Sequence, residues 1–129
     1  MKKKTVYIPI EVKVREFVSQ ILFTYKLVKA GYRVYIGTRG QIFNFLKQKK
    51  QKAGIFFYKA GVPKDYVDLV KNKTDLHAVL DQELMPGISA HREYNEWVNC
   101  FTKKGEKYID IYFAVNRIVY KAAKNKLKK

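Results

Sequence analysis

Short apolar runs alternate along the chain with stretches whose apolar residues recur every three or four positions. Val6-Tyr7-Ile8-Pro9-Ile10 is the first apolar run. From Phe17 to Ala30 the period changes. Phe17, Val18, Ile21, Leu22, Tyr25 and Val28 then fall on one broad stripe, the pattern of an amphipathic helix. Gly31 stands where a C-terminal helix glycine belongs, and Arg33 to Gly37 is a second apolar run. A short helix is predicted from Gln41 to Lys49, with Ile42, Phe43, Phe45 and Leu46 as its apolar face. Gly54 to Tyr58 reads as a third strand. Pro63 opens a third helix faced by Tyr66, Val67 and Val70, and His77 to Leu80 reads as a fourth strand. Ser89 fits the cap of a helix bearing Ala90, Tyr94, Trp97, Val98 and Phe101. Tyr108 to Val115 is a fifth strand, and Arg117 to Lys129 a basic terminal helix.

Strand and helix thus alternate throughout, with no internal repeat and no Pro/Gly-rich linker. Apolar strands joined by helices are expected to run parallel through right-handed crossovers. The prediction is an α/β chain: a single Rossmann-like three-layer domain over residues 1–129, with a five-strand, mainly parallel sheet. Ile8, Ile10, Val34, Ile36, Phe56, Val79, Leu80 and Ile111 are its expected core.

Charge changes this picture less than its size suggests. The net charge is +16, a balance that points to anionic partners. Yet 22 of the 27 basic residues are Lys, whereas specific phosphate and base recognition favours the guanidinium fork of Arg. The Lys-rich stretches at Lys2 to Lys4, Lys47 to Lys52 and Lys121 to Lys129 read as solvated tails, loops and helix faces. A lone cysteine, Cys100, leaves neither an intrachain disulfide nor a multi-cysteine zinc site and fits a reducing, cytoplasmic setting. No apolar run approaches the ~20 residues of a membrane span. Walker and GxGxxG motifs are absent, so no cofactor is expected. His77 and His91 lack metal-spaced partners and read as ordinary histidines; no metal site is expected. Cys100 and Trp97 read as packing residues.

Candidate chemistry collects where strands end. In an open parallel sheet, ligands sit beyond the carboxyl ends of the strands, at the point where strand order reverses. With the order 3-2-1-4-5, that point lies between the first and fourth strands. Glu11, Lys13, Arg15 and Glu16 would then meet Asp81 and Glu83 across one crevice. Two carboxylate-bearing loops there could supply a general base and a contact to a substrate hydroxyl, with Lys13 and Arg15 holding an anionic group. The same residues also suit the acidic first turn and solvated bases of an ordinary helix start.

The segment Val6-Tyr7-Ile8-Pro9-Ile10-Glu11-Val12-Lys13-Val14-Arg15-Glu16-Phe17 resembles the start of the bacterial surface carbohydrate biosynthesis proteins, a glycosyltransferase-like family. Gly31 to Gly37, Gly54 to Phe57, Leu80 to Glu83 and Ile109 to Ala114 are similar to later family segments in the same order. Gln82 stands where the family tends to have a second acid, Leu84 where it tends to have a small residue, and Val115-Asn116-Arg117 replaces a Gly-Glu-like turn. The resemblance implies the N-terminal, acceptor-side half of a GT-B enzyme, with the donor-binding C-terminal half supplied elsewhere.

On that resemblance the expected function is acceptor binding in bacterial surface polysaccharide biosynthesis. Glu11 and Glu83 would be catalytic. Lys13, Arg15, Glu16 and Asp81 would bind a sugar or lipid-linked acceptor. This chain alone is expected to be inactive. The expected location is cytoplasmic, with peripheral contact to the anionic inner face of the cytoplasmic membrane. The alternative is a non-catalytic basic α/β module binding nucleic acid or anionic membrane surfaces, nucleic acid being the less favoured partner because the chain is poor in Arg.

Overall fold

The computed structural model describes residues 4–59, 62–80 and 108–114, together with Arg117, Tyr120, Lys121 and Lys124. In chain order the elements are β1 (Thr5–Ile10), α1 (Lys13–Lys29), β2 (Arg33–Thr38), α2 (Arg39–Gln48), β3 (Ile55–Tyr58), α3 (Val67–Lys73), β4 (Leu76–Leu80) and β5 (Ile111–Phe113). A single 3-10 turn, Lys64–Tyr66, leads from Pro63 into α3. The predicted helix after Ser89, with Trp97 and Cys100, lies outside the described residues, as does His91.

All five strands are parallel, in the order β2-β1-β3-β4-β5. This is a Rossmann-like α/β domain, but its strand order corrects the predicted 3-2-1-4-5. Burial gives the reason. Phe56, Phe57 and Tyr58 of β3 are all buried, on both faces of the sheet, which suits a central strand. β2 runs from an exposed Arg33 through half-buried residues to an exposed Thr38, which suits an edge. β3 therefore sits between β1 and β4. β5 is the other edge, and Ile111, expected in the core, is exposed there. Ile8, Ile10, Phe56 and Val79 are buried as expected, while Val34, Ile36 and Leu80 pack at the core margin.

Side-chain alternation divides the core into two layers. Tyr7, Phe56 and Tyr58 face α2 and α3, meeting Ile42, Phe43, Leu46, Val67 and Val70. Val6, Ile8, Phe57 and Ala78 face the other way, toward Phe23 and Leu27 of α1. Aromatic stacking knits the first layer: Phe43 lies 4.1 Å from Tyr66 and 5.8 Å from Phe56, centroid to centroid.

Local signals set the helix ends. Thr38 caps α2 in a capping box with Gln41. At the end of α1, Gly31 adopts φ +87°, with Gly31 N–H donating to Val28 O and Tyr32 N–H to Leu27 O, a Schellman motif. Gly54 has φ +92°, and a Cβ there would stand 2.6 Å from Thr5 O, so only glycine lets the chain pass β1 into β3.

Two sequence readings change. α1 begins at Lys13 rather than Phe17, so Lys13, Arg15 and Glu16 lie in a helix. It also turns Glu16, Gln20, Phe23 and Leu27 to the sheet, leaving the stripe of Phe17, Val18, Ile21, Leu22, Tyr25 and Val28 outside. Second, the run Lys47 to Lys52 is not uniformly solvated. Lys49 Nζ donates to Tyr7 Oη at 2.6 Å and Ala53 O at 2.7 Å, and lies 4.5 Å from the Tyr7 ring centroid. Burial lowers its pKa. Lys73 Nζ returns a bond to Lys49 O at 2.6 Å, tying the ends of α2 and α3.

Lys49→Met should therefore destabilise the fold by roughly 1–3 kcal/mol, since buried acceptors lose a charged donor. Lys50→Gln and Lys52→Gln should change stability by less than about 0.5 kcal/mol. Denaturant unfolding of the three variants checks the contrast.

Candidate ligand crevice between β1 and β3

The reversal of strand order falls between β1 and β3, because β2 lies on one side of β1 and β3, β4 and β5 on the other. The two strands part early. β1 stays paired to β2 as far as Ile10–Thr38, but its pairing with β3 comprises only Val6–Ile55 and Tyr7–Phe56. Pro9, lacking an N–H, cannot extend the ladder there. Beyond the gap, side chains replace backbone bonds.

Lys59 follows β3 directly, with its side chain 7% exposed. Its ammonium lies 3.0 Å from Glu11 Oε2 and 2.9 Å from Glu16 Oε1. Glu16, 4% exposed, accepts the Glu11 backbone N–H through Oε2 at 2.9 Å. Arg39, first residue of α2, donates from Nη1 to Glu11 Oε1 at 2.5 Å. Arg15 Nη2 lies 3.9 Å from Glu16 Oε1. The result is a ladder of alternating charge joining the ends of β1 and β3 to the first turns of α1 and α2.

Its members differ in access. Burial pushes the Glu16 carboxyl up, but the Glu11 N–H and the Lys59 ammonium outweigh it and hold the pKa below the usual value. Burial pushes Tyr58 up. A hydrogen bond to Tyr58 heads the interactions that raise Arg39. Glu11 and Arg39 keep 34% and 44% of their side-chain surface exposed, so these two face the opening of the crevice. Lys59 and Glu16 form the buried floor beneath them.

Of the residues predicted from sequence, the crevice brings Glu11 and Glu16 together with Arg15 beside them. Lys13 stays exposed on the same first helical turn, its Nζ 5.8 Å from the Phe17 ring centroid. Asp81 and Glu83 lie outside the described residues. Their strand, β4, is separated from β1 by β3, so β1 and β4 do not flank the reversal, against the expectation. Sequence reasoning passed over Arg39, Tyr58 and Lys59. The signal was present: Lys59 directly follows the doubly buried Phe56-Phe57-Tyr58, where the carboxyl end of a central strand must lie.

At the opposite, amino-terminal edge, His77 is buried within β4. Asp110 Oδ2 accepts its backbone N–H at 2.8 Å, and its Nε2 has no hydrogen-bond partner among the described residues. Burial lowers its pKa to about 4, against the pull of Asp110. It borders a cavity of about 180 Å³ lined also by Lys71, Asp75 and Tyr108. Among the described residues, no helix is long and apolar enough to cross a membrane. No group of three or more His, Cys, Asp or Glu among them could hold a metal ion.

No protein-family model, curated protein or solved structure matches the chain.

Removing one member of the buried ladder should be costly. Lys59→Met leaves two carboxylates facing each other and should destabilise by about 3–5 kcal/mol, whereas pairing it with Glu16→Leu should recover much of the loss. A double-mutant cycle by urea denaturation measures this. His77 gives a pH signature. Its folded pKa lies below the unfolded value of about 6.5, so the unfolded state binds more protons between the two. Its contribution is complete above about pH 6.5 and falls by about 3 kcal/mol as pH drops toward 4. His77→Phe should flatten this part of the stability–pH curve.

Proposed function

We propose that this chain is an acceptor-binding domain of a glycosyltransferase-like protein in bacterial surface polysaccharide assembly. The ligand class is a sugar or lipid-linked acceptor carrying a phosphate or carboxylate. One observation carries the reading: the strand order 2-1-3 puts Glu11, Lys59 and Arg39 together at the carboxyl edge of the β1/β3 reversal. Parallel sheets bind ligands at that edge. The resemblance of the Val6 to Phe17 segment supplies the enzyme class.

The geometry suggests how such an acceptor would engage. Both Glu11 oxygens are held by cations, Oε1 by Arg39 and Oε2 by Lys59. An arriving phosphate or carboxylate takes over the Arg39 guanidinium, which suits planar, bidentate recognition of such groups. Glu11 Oε1 is then released toward an acceptor hydroxyl, as a contact or a general base. Lys13 and Arg15, in the first turn of α1, extend the cationic side. Glu16 and Lys59 hold the floor. Turnover requires a donor held in reactive geometry against the acceptor, and that part belongs to a donor-binding half.

Calorimetric titration with geranyl diphosphate and with an acidic oligosaccharide tests this. Binding to at least one is expected, weakened about tenfold or more in Arg39→Gln, in line with loss of a charge-assisted pair. Lys64→Gln, an exposed control, should bind as the parent does. Absence of binding, or equal loss in both variants, overturns the reading. Incubated with a panel of sugar nucleotides and acceptors, the chain should form no product detectable by mass spectrometry. Product lost in Glu11→Gln would place both substrate sites in this one domain.

A further inference from the structure

Among the described residues, the outer face of α1 carries more exposed large apolar side chains than any other element. Val14, Val18 and Leu22 are 97%, 79% and 60% exposed, and Phe17, Ile21, Tyr25 and Val28 are exposed beside them. At ~100° per residue these seven positions cover an arc of roughly 140° on the side away from the sheet. A helix this apolar on its outer side is costly in water, so the face is built to be covered.

We propose that the outer face of α1 docks on an anionic membrane surface, lying in the plane of the headgroups. The argument for this occupant is charge. Arg15 and Lys26 line one flank of the apolar arc, Lys13 lies on the other, and Lys29 stands at its C-terminal end. The one acid in α1, Glu16, is buried on the inner side beside Lys59. Apart from Ser19, the exposed surface of α1 therefore carries apolar and basic groups and no acid, the composition of a helix that lies in a lipid interface. Long basic side chains there reach outward while their stems cover apolar surface; Lys29 Nζ already lies 5.3 Å from the Tyr25 ring centroid. A second copy is disfavoured by the same charges. It would bring two chains of net charge +16 together through their own basic flanks. The shape agrees: Val14, Val18 and Leu22 form a ridge along one 17-residue helix, which suits immersion in a fluid surface. This inference rests on α1 alone and stands whether or not the crevice binds an acceptor.

The test uses the full chain with vesicles of phosphatidylcholine mixed with phosphatidylglycerol, and with pure phosphatidylcholine. Val18→Asp/Leu22→Asp should lower partition onto the anionic vesicles about tenfold or more, since each side chain gains by leaving water. Val14→Asp, at the most exposed position, should lower it in the same direction with the least disturbance to the fold. Because a strongly basic chain could adhere through its lysines alone, a second readout is needed. An environment-sensitive fluorophore is placed on Val18→Cys, and separately on Lys50→Cys, each in a Cys100→Ser background. A blue shift on anionic vesicles at position 18 and none at position 50 is the expected result. Three outcomes overturn the proposal: partition of the Asp variants within about twofold of the parent, no shift at position 18, or a fluorophore there already shielded without lipid. The last means that another part of this chain or a second copy covers the face, and sedimentation separates those two cases.

Discussion

The ammonium of Lys59 is the point on which the rest of this structure turns. It follows a strand buried on both faces, so its charge cannot reach bulk water without distorting the chain. A buried cation persists only where carboxylates meet it. Glu11 comes from the end of β1 and Glu16 from the first turn of α1. Lys59 thereby fastens β3 to β1 where their backbone pairing has stopped, and fastens α1 to both.

That fastening also sets the rotation of α1. Once Glu16 must face inward, helical geometry carries Gln20, Phe23 and Leu27 inward with it, at intervals of four, three and four residues. Phe23 stacks on Phe57 with centroids 4.6 Å apart, which completes the contact with the sheet. The richer apolar stripe is left on the outside. A rule that turns the most hydrophobic face to the core fails here, because the inward face is the one that carries Glu16 to Lys59 and Phe23 to Phe57.

The two ends of the sheet divide their labour. At the carboxyl edge, charges alternate across an opening and two of them remain accessible. At the amino edge, Lys49, Lys73, Asp75 and Asp110 spend their charged groups on backbone atoms, closing the structure beneath β1, β3 and β4. Lysine is used as a structural donor at one edge and as an ion-pair partner at the other. The high lysine content therefore describes neither function nor surface uniformly.

Much of the architecture was legible in the sequence because it is local. Alternating strand and helix periods, Gly31 after a helix, and Thr38 before one follow from backbone and capping preferences that neighbouring residues decide. Glu11, Lys13, Arg15 and Glu16 could be placed at a strand end for the same reason. Strand order could not be read with the same ease, since every crossover here is long enough to reach either side of β1; only burial of Phe56, Phe57 and Tyr58 on both faces selects the middle position. The partnership of Lys59 and Arg39 with Glu11 follows from that order and from nothing local, as it joins residues 48 and 28 positions apart. Among the described residues, the amino-acid sequence by itself determined the alternation of strands and helices and the parallel sense of the sheet. Tertiary structure decided which strand ends meet and which face of α1 is buried, because both depend on contacts between segments far apart in the chain, which no local preference encodes.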